Sequence, residues 1–181
     1  MIQVDGDIPM TTIQAPQKVE NEASKPETDE KEDTSKCEIV RATQHGAIER
    51  VKQLLEDGYD VHQRDSEGVT LLHWAAINNR LEIASYLISK GADVNAIGGD
   101  LRSTPINWAV RQGQLKMIVL LLKHGANPSI LDSEGYNCLH LAAQFGFTSI
   151  AAYLIAKGMD IDAPDSNGMT ALMWASFRAR T

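Results

Sequence analysis

Cysteine is almost missing from this sequence. Cys37 and Cys138 are the only two, too far apart to staple a small disulfide framework, which fits a reducing compartment and a cytosolic location. Basic charge is also in short supply. Seventeen Lys and Arg face 24 Asp and Glu, a formal net charge of -7, which argues against a protein that grips phosphate backbones with clustered cations. No run approaches the eighteen apolar residues of a membrane-spanning helix. A basic segment followed by an apolar stretch, the mark of a secretory signal, is missing from the N-terminus, and Ile2 at the second position excludes N-myristoylation. There is no nucleophile elbow, Walker loop or paired-carboxylate signature. The chain therefore offers no catalytic site and calls for no cofactor.

What is present divides at about residue 37. Residues 1–36 hold no aromatic residue, three of the six prolines, and nine acids against four bases, a net of -5. Composition of this kind buries too little apolar surface to offset the entropy of ordering, and it predicts a disordered acidic leader.

From Cys37 onward the chain is periodic. EDGYDVHQ at Glu56, SKGADVNA at Ser89, KHGANPSI at Lys123 and AKGMDIDA at Ala156 align, and their glycines, Gly58, Gly91, Gly125 and Gly158, are 33, 34 and 33 residues apart. DSEGVTLLH, DSEGYNCLH and DSNGMTALM, from Asp65, Asp132 and Asp165, follow the same step. In each copy a turn precedes a Thr or its substitute, which caps a short helix. Leu72, Ala75 and Ala76 then form an apolar stripe at helical spacing, with small residues that let neighbouring helices approach. A second helix carries Ile83, Leu87 and Ile88, then Met117, Leu121 and Leu122, then Ile150, Leu154 and Ile155, on one face. Glycine closes each second helix in the left-handed conformation.

A period near 33 with T-x-L-H and G-A-D resembles the ankyrin repeat, and implies an all-α solenoid of stacked helix pairs joined by β-turn fingers. The expected units are a capping repeat over 37–64, then 65–97, 98–131, 132–164, and an unfinished copy over 165–181. GGDLRS makes the third finger one residue longer and replaces the D-S-x-G pattern. The last copy stops near the end of its first helix, which reads as a fragment of a longer protein and predicts fraying from Asp165.

His73 and His140 occupy the H of T-x-L-H. The resemblance to ankyrin repeats implies that their rings hydrogen-bond between loops, and no Cys or His partner stands at metal-like spacing, so this structural role is favoured over a metal site. Cys138 reads as a small core filler, and Gly98 to Asp100 as a widened finger. Aromatic residues make up only 6 % of the chain, yet all three tryptophans stand four places after a Thr in one context: TLLHWAAINN, TPINWAVRQG and TALMWASFRA. That position admits two readings. Trp74, Trp108 and Trp174 are either core-edge aromatics between inner helices or, as Trp is at many interfaces, walls of a peptide groove. The unfinished copy favours the first reading for Trp174. Asn78, one turn beyond Trp74, carries an amide suited to a peptide backbone.

TLLHWAAINNR, GGDLRSTPINWAVRQG and HLAAQFGFTSIAAYLIAKG, with IVRATQHG and NGMTALMWAS, resemble the N-terminal repeats of the huntingtin-interacting, ankyrin-repeat DHHC palmitoyltransferases. The resemblance runs from about Cys37 to Ser176. It implies a cytosolic recruiting domain, on the outer face of Golgi and vesicle membranes, for substrates bearing short Gln-Pro motifs, including huntingtin-like and synaptic or vesicle proteins. Acyl transfer in that family is performed by a separate membrane-embedded Asp-His-His-Cys domain. By motif, the peptide contacts fall on Asn78 and Trp108, with Trp74 as supporting wall. Asn107 departs from the His of TPLHW, and Arg102 from a polar Asn. Two alternatives stand beside a peptide-binding module: the N-terminal part of a complete palmitoyltransferase, and a general ankyrin adaptor.

Overall fold

The computed structural model describes residues 30–179, with side chains from Glu38 onward. The leader expected over 1–36 lies outside the described residues up to residue 29. From Glu30 the backbone is already helical, so residues 30–36 extend the first helix. Composition tests whether a segment can build a core. It is a poorer guide to local helicity, which EKED favours through strong helix formers and acids at the N-terminal end.

Nine helices follow one another among the described residues, in pairs until the last. They are α1 (Glu30–His45), α2 (Ile48–Glu56), α3 (Leu71–Ile77), α4 (Leu81–Ser89), α5 (Pro105–Arg111), α6 (Leu115–Lys123), α7 (Cys138–Phe145), α8 (Thr148–Ala156) and α9 (Ala171–Arg178). The odd-numbered helices form an inner row, in which α3 packs on α5, α5 on α7 and α7 on α9. Of the even-numbered outer row, α4 contacts both α2 and α6. Leu72, Ala75, Ala76, Ala109 and Ala142 are buried between inner helices, where small side chains permit close approach.

Each outer helix ends in the same way. The amide of Gly91 donates to the Ile88 carbonyl and that of Ala92 to the Leu87 carbonyl, with Gly91 at φ 94°. This double closure needs a left-handed residue at the glycine, and it recurs at Gly58, Gly125 and Gly158. The outer-helix stripe is narrower than the sequence suggests. Ile83, Leu87, Met117, Leu121, Ile150 and Leu154 are buried, whereas Ile88 and Leu122 are only partly covered and Ile155 is 46 % exposed. Positions four apart share a helix face, and the following residue is turned about 100° away.

Histidines tie each inner helix to the next finger. The Thr70 amide donates to His73 Nδ1 (3.2 Å), which leaves the imidazole proton on Nε2 to donate to the Ser103 carbonyl (3.0 Å). His140 repeats the arrangement on Asn137 and the Ala163 carbonyl. Asn107 stands in for the imidazole in the third repeat. Its Oδ1 accepts from Thr104 Oγ1 and Cys138 Sγ, and its Nδ2 donates to the Ile130 carbonyl. Cys138 is fully buried, and burial pushes its thiol far above the ordinary range. At the other end of the inner helices, Arg80 Nε, Gln114 Nε2 and Arg178 Nη1 donate to the Gln44, Ile77 and Gln144 carbonyls of the preceding repeat.

The α9 helix of the fifth repeat is formed and docked on α7. Trp174 is buried and makes an edge-on contact with Tyr136, 5.5 Å between centroids. On its far side Leu172, Met173 and Phe177 are 74 %, 50 % and 44 % exposed.

Two outcomes follow. Burial pushes His73 down to about 4 from 6.5, against the smaller opposing effect of the Ser103 carbonyl. The unfolded chain therefore takes up this proton first as pH falls. The contribution of the neutral ring is complete above 6.5 and is lost progressively towards 4, by roughly 3 kcal/mol at most. Urea unfolding of wild type and His73→Asn across that window should show a flatter stability profile in the variant; equal slopes would contradict it. Separately, amide exchange in α9 should be faster than in α3 to α8, because one side of α9 lacks packing. Equal protection would show that docking on α7 suffices.

Candidate peptide-binding site

The aspartate that opens a D-S-x-G finger has two tasks. Asp65 Oδ1 accepts from the amides of Glu67 (3.0 Å) and Val69 (2.8 Å), which folds the finger. Its Oδ2 accepts from Trp74 Nε1 at 2.8 Å, nine residues on. The fifth repeat is built alike: Asp165 Oδ1 accepts from Asn167 and Met169, and Oδ2 from Trp174 Nε1 at 2.9 Å. Burial raises the Asp165 carboxyl, but the Trp174 indole and the two amides together hold it below its ordinary value. Trp74 and Trp174, each 9 % exposed, thus have their N–H groups satisfied within their own repeats.

The third repeat breaks this pairing. Nine residues before Trp108 stands Gly99, not Asp. The finger closes instead through a Gly98–Ser103 bridge, with Gly99 and Arg102 at positive φ (72° and 47°). Gly98 lies so close to the previous finger that an added Cβ would meet the Gly68 carbonyl oxygen at 2.5 Å. Trp108 is 6 % exposed, and its buried indole N–H has no partner. Leaving such a donor unmade costs about 1–3 kcal/mol.

The fourth repeat shows the complementary change. Leu141 replaces tryptophan, so Asp132 Oδ2 has no indole to receive. Arg111, one turn beyond Trp108 on α5, fills the place at 2.6 Å and reaches Glu134 at 3.2 Å. Its guanidinium carbon lies 5.9 Å from the Trp108 ring centroid. Sequence reading passed over Arg111, Asp132 and Glu134. The available signal was comparative: the position of Arg111 holds Ile77, Gln144 and Phe177 in the other repeats, and it is charged where the next repeat lacks its tryptophan.

Asn78 caps the C-terminal end of α3, half-buried, and its Nδ2 donates to the Trp74 carbonyl at 2.9 Å. Asn78 and Trp74 are thereby joined. Trp108 lies on α5, which packs against α3, but no hydrogen bond or ring contact among the described residues links it to either. All three indoles are largely covered, so Trp74, whose N–H is already engaged, offers a partner little beyond a ring edge. Among the described residues no helix is long and apolar enough to cross a membrane.

Comparison with known proteins agrees with this architecture. The family model for ankyrin repeats (3 copies) matches residues 39–132 and 106–180. The chain is 61 % identical over 150 residues to palmitoyltransferase ZDHHC17 of Homo sapiens, covering 83 % of this chain and 24 % of that protein. It is 60 % identical over 161 residues to palmitoyltransferase ZDHHC17 of Danio rerio (89 % and 26 %). It is 55 % identical over 147 residues to palmitoyltransferase ZDHHC13 of Homo sapiens (81 % and 24 %). The chain thus spans about a quarter of the length of these relatives. With the finger, cap and interlocking histidine repeated along the stack, the chain belongs to the ankyrin-repeat family, and its repeats are similar to the ankyrin region of these palmitoyltransferases.

Proposed function

We propose that this chain is a non-catalytic protein-interaction module that binds short peptide segments, with Trp108 as its principal anchor and Asn78 as its partner on the neighbouring helix. The unpartnered N–H of Trp108 carries the reading. Two tryptophans of the same repeat position have their donors answered by an aspartate, and the third has not. An unmade buried donor is answered by an incoming acceptor, such as a peptide carbonyl, with the small exposed part of the indole ring as apolar contact. Asn78 adds an amide whose Nδ2 is engaged by its own helix and whose Oδ1 is left for a peptide N–H. Trp74 supports this wall. The partners are proteins with Gln-Pro-containing segments, a chemistry taken from the resemblance to the palmitoyltransferases.

A second reading is favoured by the identity of 55–61 % to proteins of which the matched residues make up only about a quarter. In it, the repeats recruit substrates for a palmitoyltransferase on the same polypeptide, at the cytosolic face of Golgi or vesicle membranes. Reading the transcript beyond Thr181 for apolar segments and an Asp-His-His-Cys motif decides it. A transcript with neither favours a general adaptor.

Titration of a Val-x-x-Gln-Pro peptide tests the first reading. The wild type should bind at about micromolar Kd, on the order of -8 kcal/mol. Trp108→Ala should weaken binding by ~10-fold or more, and Trp108→Phe, which keeps a ring but removes the N–H, by a smaller but measurable factor. Equal affinity of wild type and Trp108→Ala would remove Trp108 from the site.

A further inference from the structure

The loops that follow the outer helices are not joined alike. After α4, Asn95 ties its loop to the next one: its Nδ2 donates to the Gly125 carbonyl (3.2 Å) and its Oδ1 accepts from the Asn127 amide (2.8 Å). One repeat earlier the same place, four residues after the closing glycine, holds His62; after α6 it holds Ser129, a shorter side chain. The groups that correspond to the Gly125 carbonyl and the Asn127 amide are then the Gly91 carbonyl and the Asp93 amide. Neither makes a hydrogen bond among the described residues, nor does the His62 imidazole. A cavity of about 230 Å³ opens at this junction, lined by exposed His62, Arg64 and Asp93 and by Val61, Ala92 and Ala96. Arg64 is fixed beside it. Its Nη1 donates to the Gly68 (2.8 Å) and Ile97 (2.6 Å) carbonyls, which leaves Nε and Nη2 for another acceptor.

We propose that this cavity is a binding site for a primary carboxamide, which takes the place that the Asn95 side chain fills one repeat later. The Asp93 amide donates to the carboxamide oxygen, the Gly91 carbonyl accepts from its NH2, and Arg64 donates to a further acceptor on the same ligand. The molecule itself supplies the precedent, since a carboxamide answers this pair of main-chain groups at the following junction. Charged groups fit less well. A carboxylate has no N–H for the Gly91 carbonyl and meets the negative charge of Asp93, and an ammonium accepts nothing from the Asp93 amide. The volume suits one side chain or a small metabolite, being below that of ordinary ligand pockets. The carboxamide comes either from a Gln or Asn side chain of a partner protein or from a free amide such as glutamine. This site shares no residue with the one built on Trp108 and Asn78, and it stands or falls separately.

The test follows the amide resonances of the 15N-labelled chain as free L-glutamine, or a blocked peptide carrying one Gln and no Pro, is added. The Asp93 amide should move and saturate with at least one of them, at about millimolar Kd. Saturation by glutamine alone assigns the site to a free amide, and saturation by the peptide alone assigns it to a partner's side chain. L-Glutamate, which exchanges the NH2 for an oxygen, should bind ~10-fold more weakly than L-glutamine. His62→Asn places a carboxamide in the cavity from within and should reduce binding ~10-fold or more, whereas His62→Ala leaves the place open and should keep it. Thermal midpoints no lower than that of the wild type verify that both variants are folded. An Asp93 amide unmoved by both ligands, L-glutamate binding as well as L-glutamine, or His62→Asn binding as well as His62→Ala would each overturn the proposal.

Discussion

One carboxylate, at the head of each regular finger, sets the local structure on both sides of it. Its Oδ1 gathers two amides and folds the turn, and its Oδ2 takes the indole N–H of the following inner helix. The finger and the largest side chain of the repeat are thereby positioned by one group. Where both members are present, as in the second and fifth repeats, the unit is closed and offers a partner little. The third repeat has the tryptophan without the aspartate, and the fourth the aspartate without the tryptophan. Arg111 bridges the two incomplete units, and its own unpaired donors and that of Trp108 lie at that seam. A solenoid of equal units presents equal surfaces, so a site arises where neighbouring units differ.

That seam is affordable because the rest of the stack is held redundantly. His73, Asn107 and His140 tie each inner helix forward to the next finger. Arg80, Gln114 and Arg178 tie back to the preceding inner helix by donating to its terminal carbonyls. The outer row relies on apolar burial, through Leu87, Leu121 and Leu154, and on the glycine closures. Such nearest-neighbour ties make stability close to a sum over adjacent repeats. A few unmade donors in the third repeat are therefore tolerated without loss of the fold.

Much of this was legible in the sequence because the fold repeats itself. The glycine line, the T-x-L-H entry and the alanine stripe each appear in several copies, and a helix end closed by glycine is a local property. The helical start at Glu30 was not legible, since low apolar content says little about local helicity. The outer stripe was drawn too wide, because Ile88, Leu122 and Ile155 are apolar but turned off the buried face. At the candidate site, the residue pattern and the family resemblance singled out Trp74, Asn78 and Trp108 as candidates but not what separates them. That distinction depends on which oxygen of an aspartate nine residues away is already occupied. Arg111 was missed for the same reason, since a charged residue inside a repeat reads as solvated until the carboxylate it meets, 21 residues on, is brought beside it.

The central claim is that Trp108 alone among the three tryptophans keeps its indole donor for a partner. The most direct measurement is the set of three indole N–H resonances in a 15N-labelled sample, assigned by single Trp→Phe variants and followed as a Val-x-x-Gln-Pro peptide is added. The Trp74 and Trp174 signals should be protected from exchange and stay in place, and the Trp108 signal should exchange faster and move on binding. A Trp108 signal already as protected as the other two, and unmoved by a peptide that binds, would contradict the account.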